Sequence, residues 1–171
     1  DWRSDQVDVI RTQVFRFWNR SFDIISLPEG DTNLSNPDKW LLSKLNQIIE
    51  KTTSSIDRFE TRTASQSIFY ELEEYLKWHH RRSTPTKSNW ALREVLRTRL
   101  IMLSPFMPFL SNELHELLTG KSVDNANWPS PSPELNAPFI ELEEDLIRAL
   151  LSDIHEVKNV INKDPRLISI Y

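Results

Sequence analysis

Apolar residues recur at three- and four-residue intervals along nearly the whole chain, the spacing that lines them up on one face of an α-helix. Val7, Ile10, Val14, Phe17, Trp18, Ser21 and Ile25 predict a first helix from Ser4 to about Ile25, with Ser4 as its N-cap. The stretch SLPEGDTNLSNPD, 26–38, concentrates Pro, Gly and small polar residues and reads as a loop. A second helix is expected from Pro37, whose missing N–H is harmless in a first turn, with Asp38 at the positive end of the helix dipole. Its stripe is Leu41, Leu45, Ile48, Thr52, Ile56 and Phe59. A third helix, about 62–81, carries Ala64, Ile68, Leu72, Tyr75 and Leu76 behind a Thr61 or Thr63 cap. After the break RRSTPTKSN, Ser88 or Asn89 caps a fourth with Leu92, Val95, Leu96, Leu100 and Leu103.

Two prolines three residues apart then interrupt the pattern in LSPFMPFLSNELHELL, 103–118. Pro105 removes a donor and drives Ser104 from helical angles, while Pro108 suits the first turn of a new helix. The pair predicts a corner, with the neighbouring Phe residues buried under it, and a fifth helix through Leu110, Leu114, Leu117 and Leu118 to a stop at Gly120. The proline-rich 125–139 segment is expected to drape over the bundle with Trp128 as anchor. A last helix from Phe139 to Ile161 has Leu142, Leu146, Leu150, Ile154, Val157 and Ile161 on one face and an acidic first turn, Glu141 to Asp145. RLISIY, after Pro165, reads as a β-strand whose visible part starts near Leu167. The expected fold is all-α: a bundle of about five helices plus a long C-terminal helix, ending in the start of a β-strand. Residues 1–130 form the bundle domain, and 131–171 a linker and helix leading into a further domain. With a start at Asp1 and a strand without a partner, the chain is expected to be a piece of a larger protein.

Composition narrows the chemistry. Gly30 and Gly120 are the only glycines, so neither a P-loop nor a dinucleotide fingerprint can form. Absence of cysteine excludes disulfides, thiolate metal sites and Cys nucleophiles, and is compatible with a reducing cytoplasm. No apolar run is long enough for a membrane span, so no membrane partner is expected. A net charge of −4 means that any nucleic-acid contact must come from a local patch.

The ionisable clusters give no catalytic or metal site. His79 and His80 are adjacent, hence about 100° apart on a helix. His115-Glu116 is followed by Thr119 where a zinc-protease helix needs a second His, and no His has a Glu three residues before it. Glu73-Glu74 and the 141–145 run read as solvated faces or dipole partners. No serine sits in a Gly-x-Ser-x-Gly elbow. One cluster remains: YLKWHHRR, 75–82, followed by Arg93, Arg97 and Arg99. It mixes cations with aromatic rings as phosphate contact and base stacking require. Lys and Arg also favour helix C-termini for electrostatic reasons, so the pattern alone does not name a partner.

Five segments in order carry a resemblance: DKWLLSKLNQII (38–49), FETRTASQSIFY (59–70), LKWHHRR (76–82), LSPFMPFLSNELHELL (103–118) and NWP (127–129). Together they resemble the anticodon-binding helical domain of class Ia aminoacyl-tRNA synthetases. The segments at 61–70 and 76–82, with the acidic helix 143–148, are similar to the archaeal and eukaryotic cytosolic leucyl branch. The same domain of an isoleucyl or valyl enzyme, or a helical protein-interaction module, is the alternative reading. Phe109 stands where the family usually has His, and His115 where it usually has Trp; both are expected to alter packing at the corner. The resemblance implies a leucine–tRNA ligase whose ATP- and Mg2+-dependent chemistry, with its HIGH-like and KMSKS-like motifs, lies outside this chain. Catalytic, editing and C-terminal domains would belong to the same longer chain, and the setting would be cytoplasmic. This piece would hold leucine tRNA by its backbone without reading the anticodon, through Lys77, Trp78, Arg81 and Arg82, with Arg93 and Arg97 in support.

Overall fold

The computed structural model describes residues 4–30, 32–83 and 89–161. These residues form α1 (Ser4–Ser26), α2 (Asn36–Asp57), α3 (Thr61–Gln66), α4 (Leu72–Arg82), α5 (Asn89–Leu103), α6 (Pro108–Thr119) and α7 (Pro138–Ile161). The fold is all-α. A π turn, Ser67–Glu71, joins α3 to α4 without leaving helical angles, so the third predicted helix is one rod with a widened turn inside it. The expected β-strand from Leu167 lies outside the described residues.

Local chemistry explains the boundaries. Ser35 caps α2 reciprocally: its hydroxyl accepts from the Asp38 N–H while the Asp38 carboxylate accepts from the Ser35 N–H at 2.9 Å, and Pro37 fills the first turn. At the other end of α2, the Phe59 N–H reaches the Ile56 carbonyl and the Glu60 N–H the Ser55 carbonyl, closing the helix as a Schellman motif around Phe59 at φ 60°. Gly120, at φ 73°, closes α6 as the sequence predicts.

The proline corner also forms. α5 stops at Leu103, whose carbonyl accepts from both Phe106 and Met107, and Pro108 opens α6. The expected burial of both phenylalanines is half right. Phe106 is half-buried, whereas Phe109 is 91% exposed. It lies two residues before Ser111, about 200° around a helix that turns Ser111, Leu114 and His115 inward. Phe109 therefore does not repack the corner. His115 does pack, 4% exposed, with its Nδ1 2.7 Å from the Lys121 carbonyl.

Two compact units divide at Asn136/Ala137. In the first, α2 packs on α3, α4 and α5, and α5 also packs on α1 and α6. α5 is buried on most sides, which its Ala91, Val95, Leu96, Leu100, Ile101, Met102 and Leu103 permit. Trp40, Leu41, Leu45, Ile48, Leu72 and Leu114 complete the core. The stripe of α1 is only partly used: Phe17, Ser21 and Ile24 are buried, while Val7 and Ile10 face solvent. The proline-rich segment is tied down as expected. Trp128 Nε1 donates to Thr53 Oγ1 at 2.9 Å, and the buried Asn46 amide exchanges hydrogen bonds with the Ser132 backbone and donates to Asn136. In the second unit α7 forms over the predicted span, with Leu142, Leu146 and Val157 exposed.

Candidate nucleic-acid interface

The end of α4 is fixed from within. His79 points inward, 1% exposed, and its Nε2 lies 2.8 Å from the Asp38 carboxylate, itself fully buried. The same carboxylate caps α2, so one acidic group pins the last turn of α4 to the first turn of α2. Helical phase then turns Lys77 and Arg81, each two residues from His79, to the far side, and His80 and the terminal Arg82 are exposed as well.

The six residues singled out from sequence take three different roles. Lys77, Arg81 and Arg82 share the exposed end of α4; Lys77 forms an ion pair with Glu74 at 2.6 Å, one turn back. Trp78 is 7% exposed, and the Arg81 guanidinium sits over its ring at 5.4 Å. A ring buried this far presents no face for a base, and serves as the shelf under Arg81. Arg93 is engaged inside the bundle: it donates to the Ile25, Leu27 and Leu118 carbonyls at 2.9, 3.2 and 3.4 Å, capping the C-terminal ends of α1 and α6 together. Arg97 is exposed and paired with Glu94 at 2.5 Å, and so carries little net charge outward. The structure thus gathers Lys77, Arg81 and Arg82 and separates Arg93 and Arg97 from them.

Arg99, grouped with those arginines by the sequence, is 2% exposed. It donates to the Ile68 and Phe69 carbonyls of the π turn at 3.0 and 2.8 Å and to Glu73 at 3.0 Å, and sits 4.6 Å from the Phe17 ring centre. Burial pushes its guanidinium down from the usual value, and Glu73 opposes that. Burial would likewise push the Glu73 carboxyl up, but the charges of Arg99 and Arg20 and their hydrogen bonds outweigh it and hold the carboxyl below the ordinary range. This buried network is the floor of an open groove of about 590 Å³ whose walls include Gln13, Arg16, Tyr70, Glu74 and Lys77. Lys77 therefore borders both the groove and the α4 end. No group of three or more metal-ligating side chains occurs among the described residues, and no described helix is long and apolar enough to cross a membrane.

Residues 38–168 match the family model of the anticodon-binding domain of tRNA ligase. The chain belongs to that family. This anticodon-binding domain is 37% identical to the leucine–tRNA ligase of Pyrococcus horikoshii over 94% of its own length. It is 36% identical to that of Pyrococcus abyssi and 32% identical to that of Methanothrix thermoacetophila, in both cases over its full length. The chain spans 17–18% of the length of these relatives. Its fold is that of a segment of the Agrobacterium radiobacter K84 LeuRS–tRNA–LeuAMS ternary complex, with a TM-score of 0.64 and 23% identity over 80% of this chain and 18% of that one.

Proposed function

We propose that this chain is the tRNA-holding unit of a leucine–tRNA ligase and itself performs no bond-making step. The observation that carries the reading is likeness to leucine–tRNA ligases along essentially the whole chain, with the α4 end offering Lys77, Arg81 and Arg82 outward. That likeness favours the leucyl over the isoleucyl and valyl branches. The longer protein would join leucine to its tRNA in the cytoplasm using ATP and Mg2+. In this reading that chemistry would be carried by other domains of the longer chain.

Within this unit the task is electrostatic positioning. Arg81, stiffened by its stack on Trp78, and Arg82 project from a helix end whose direction is set by the buried Asp38–His79 pair. Contacts of this kind fix register on an RNA backbone without reading bases. Binding of the chain to leucine tRNA across a salt series tests the proposal. The expected result is salt-dependent binding whose log-affinity slope falls by roughly 1–2 in Arg81→Ala/Arg82→Ala. No binding at low salt, or a double variant identical to the parent, overturns it.

A further inference from the structure

Phe59 combines two unfavourable features that nothing in the described chain offsets. It is the one non-glycine residue at positive φ among the described residues, at 60°, in the C′ position of the α2 Schellman motif where glycine is the usual occupant. A bulky aromatic residue there is a genuine outlier. Its side chain also gains nothing from packing, being 89% exposed. The hydrogen bonds that close the turn, Phe59 N–H to Ile56 O at 2.9 Å and Glu60 N–H to Ser55 O at 2.8 Å, are backbone ones and need no phenyl ring. A strained residue with an unused side chain points to a contact outside the chain.

The surroundings say which kind. Asp57, Arg58, Glu60, Thr61 and Arg62 are all exposed and polar. A protein-contact centre is depleted of charge and built from several apolar groups, which this lone ring among charges is not. A single aromatic face beside a guanidinium is instead what an unpaired base and its flanking phosphate require. Arg58 is taken up by Glu60, at 3.0 and 3.3 Å, whereas the Arg62 side chain has no ion-pair partner among the described residues.

We infer that Phe59 stacks an unpaired base of the bound RNA, with Arg62 on the adjacent phosphate. The inference rests on the tRNA-holding reading and extends it. α3, the π turn and α4 form one rod, roughly 30 Å long at 1.5 Å per residue, with Phe59 beyond one end and Arg81 and Arg82 at the other. The chain thereby takes its RNA at two separated places: a backbone grip at the α4 end and a base platform at the α2–α3 turn.

Polarisation binding of the chain to leucine tRNA and to a blunt RNA duplex without unpaired bases tests this. Phe59→Ala should weaken tRNA binding about 5- to 150-fold, the range for loss of one base–aromatic stack, with an unchanged salt slope. Duplex binding should be unaffected, and Phe59→Trp should retain tRNA affinity. Phe59→Gly relieves the backbone and removes the ring, so it should melt no lower than the parent yet bind tRNA as weakly as Phe59→Ala. That combination separates a contact from a folding defect. Parental tRNA affinity in both the Ala and Gly variants, with Arg81→Ala/Arg82→Ala still impaired, overturns the inference and leaves the tRNA-holding reading intact. Absence of binding by the parent to either RNA overturns both.

Discussion

Replacing Arg99 by Met tests how the bundle is built. The substitution keeps much of the stem volume but removes every donor. Two π-turn carbonyls, Ile68 and Phe69, then lose their guanidinium partner, each at about 1–3 kcal/mol if it stays buried. Glu73 keeps only Arg20, on the more exposed side, and the cation over Phe17 disappears, worth about 0.5–2 kcal/mol. Against these stand relief of the cost of burying a charge and some re-closure of the turn. The balance is a loss of roughly 3–5 kcal/mol, the usual result of removing one partner from a buried ionic network. At roughly 2–4 °C per kcal/mol for a chain of this size, Tm should fall by about 6–20 °C. Urea unfolding followed by far-UV circular dichroism at neutral pH reads the change, with Arg97→Met as the control. Arg97 is two residues away on the same helix but exposed, and its loss should move stability by less than about 0.5 kcal/mol. A loss under about 1 kcal/mol for Arg99→Met, or equal effects of the two substitutions, would refute the reasoning.

Other perturbations follow from the same geometry. Asn46→Ala breaks two hydrogen bonds to the Ser132 backbone and one to Asn136, and should cost about 2–3 kcal/mol while raising protease cleavage in the 125–136 segment; undiminished protection would show that Trp128 alone holds it. Phe59→Gly should raise the unfolding free energy measured in urea by a net of roughly 0.5–1 kcal/mol, and with it the midpoint, because relief of about 1–2 kcal/mol of left-handed strain exceeds the entropy glycine adds to the unfolded chain. A lower midpoint would mean that the ring packs. Glu73 has a folded-state pKa below its ordinary 4.5, so its stabilising contribution is present above that value and disappears as pH falls through it and on through the folded value. Glu73→Gln should accordingly flatten the acid limb of the stability profile, and an unchanged limb would assign acid sensitivity elsewhere.

Helices and stops were legible because they rest on local rules: three-and-four spacing, Pro at helix starts, Gly120 after α6. What sequence could not reveal was direction. Arg93, Arg97 and Arg99 look equivalent in a string, yet one caps two helix ends, one pairs on the surface and one is buried, because α5 is surrounded on most sides. Trp78 and His80 belonged to an attractive cation–aromatic cluster, but the Asp38 carboxylate, forty-one positions before His79, holds His79 inward and with it the turn of α4 in which Trp78 is largely out of solvent. Phe59 fitted the apolar stripe of the second helix and so passed as core. Its left-handed backbone ends that helix two residues sooner and swings the ring outside. A signal was present in the polar residues on both sides of it, and helical periodicity overrode that signal.

The π turn at Ser67–Glu71 sets a rotational phase. A widened turn accommodates one residue more than an α-helical turn would, and each residue advances a helix by about 100°. Everything after Glu71 is therefore indexed by that single extra position. Tightening that turn to regular α-helix with every residue kept would swing Lys77, Arg81 and Arg82 by about a quarter-turn while pulling His79 off Asp38, with no cation changed. The azimuth of the basic face is thus encoded ten residues upstream of Arg81, in an irregularity stabilised by the buried guanidinium of Arg99.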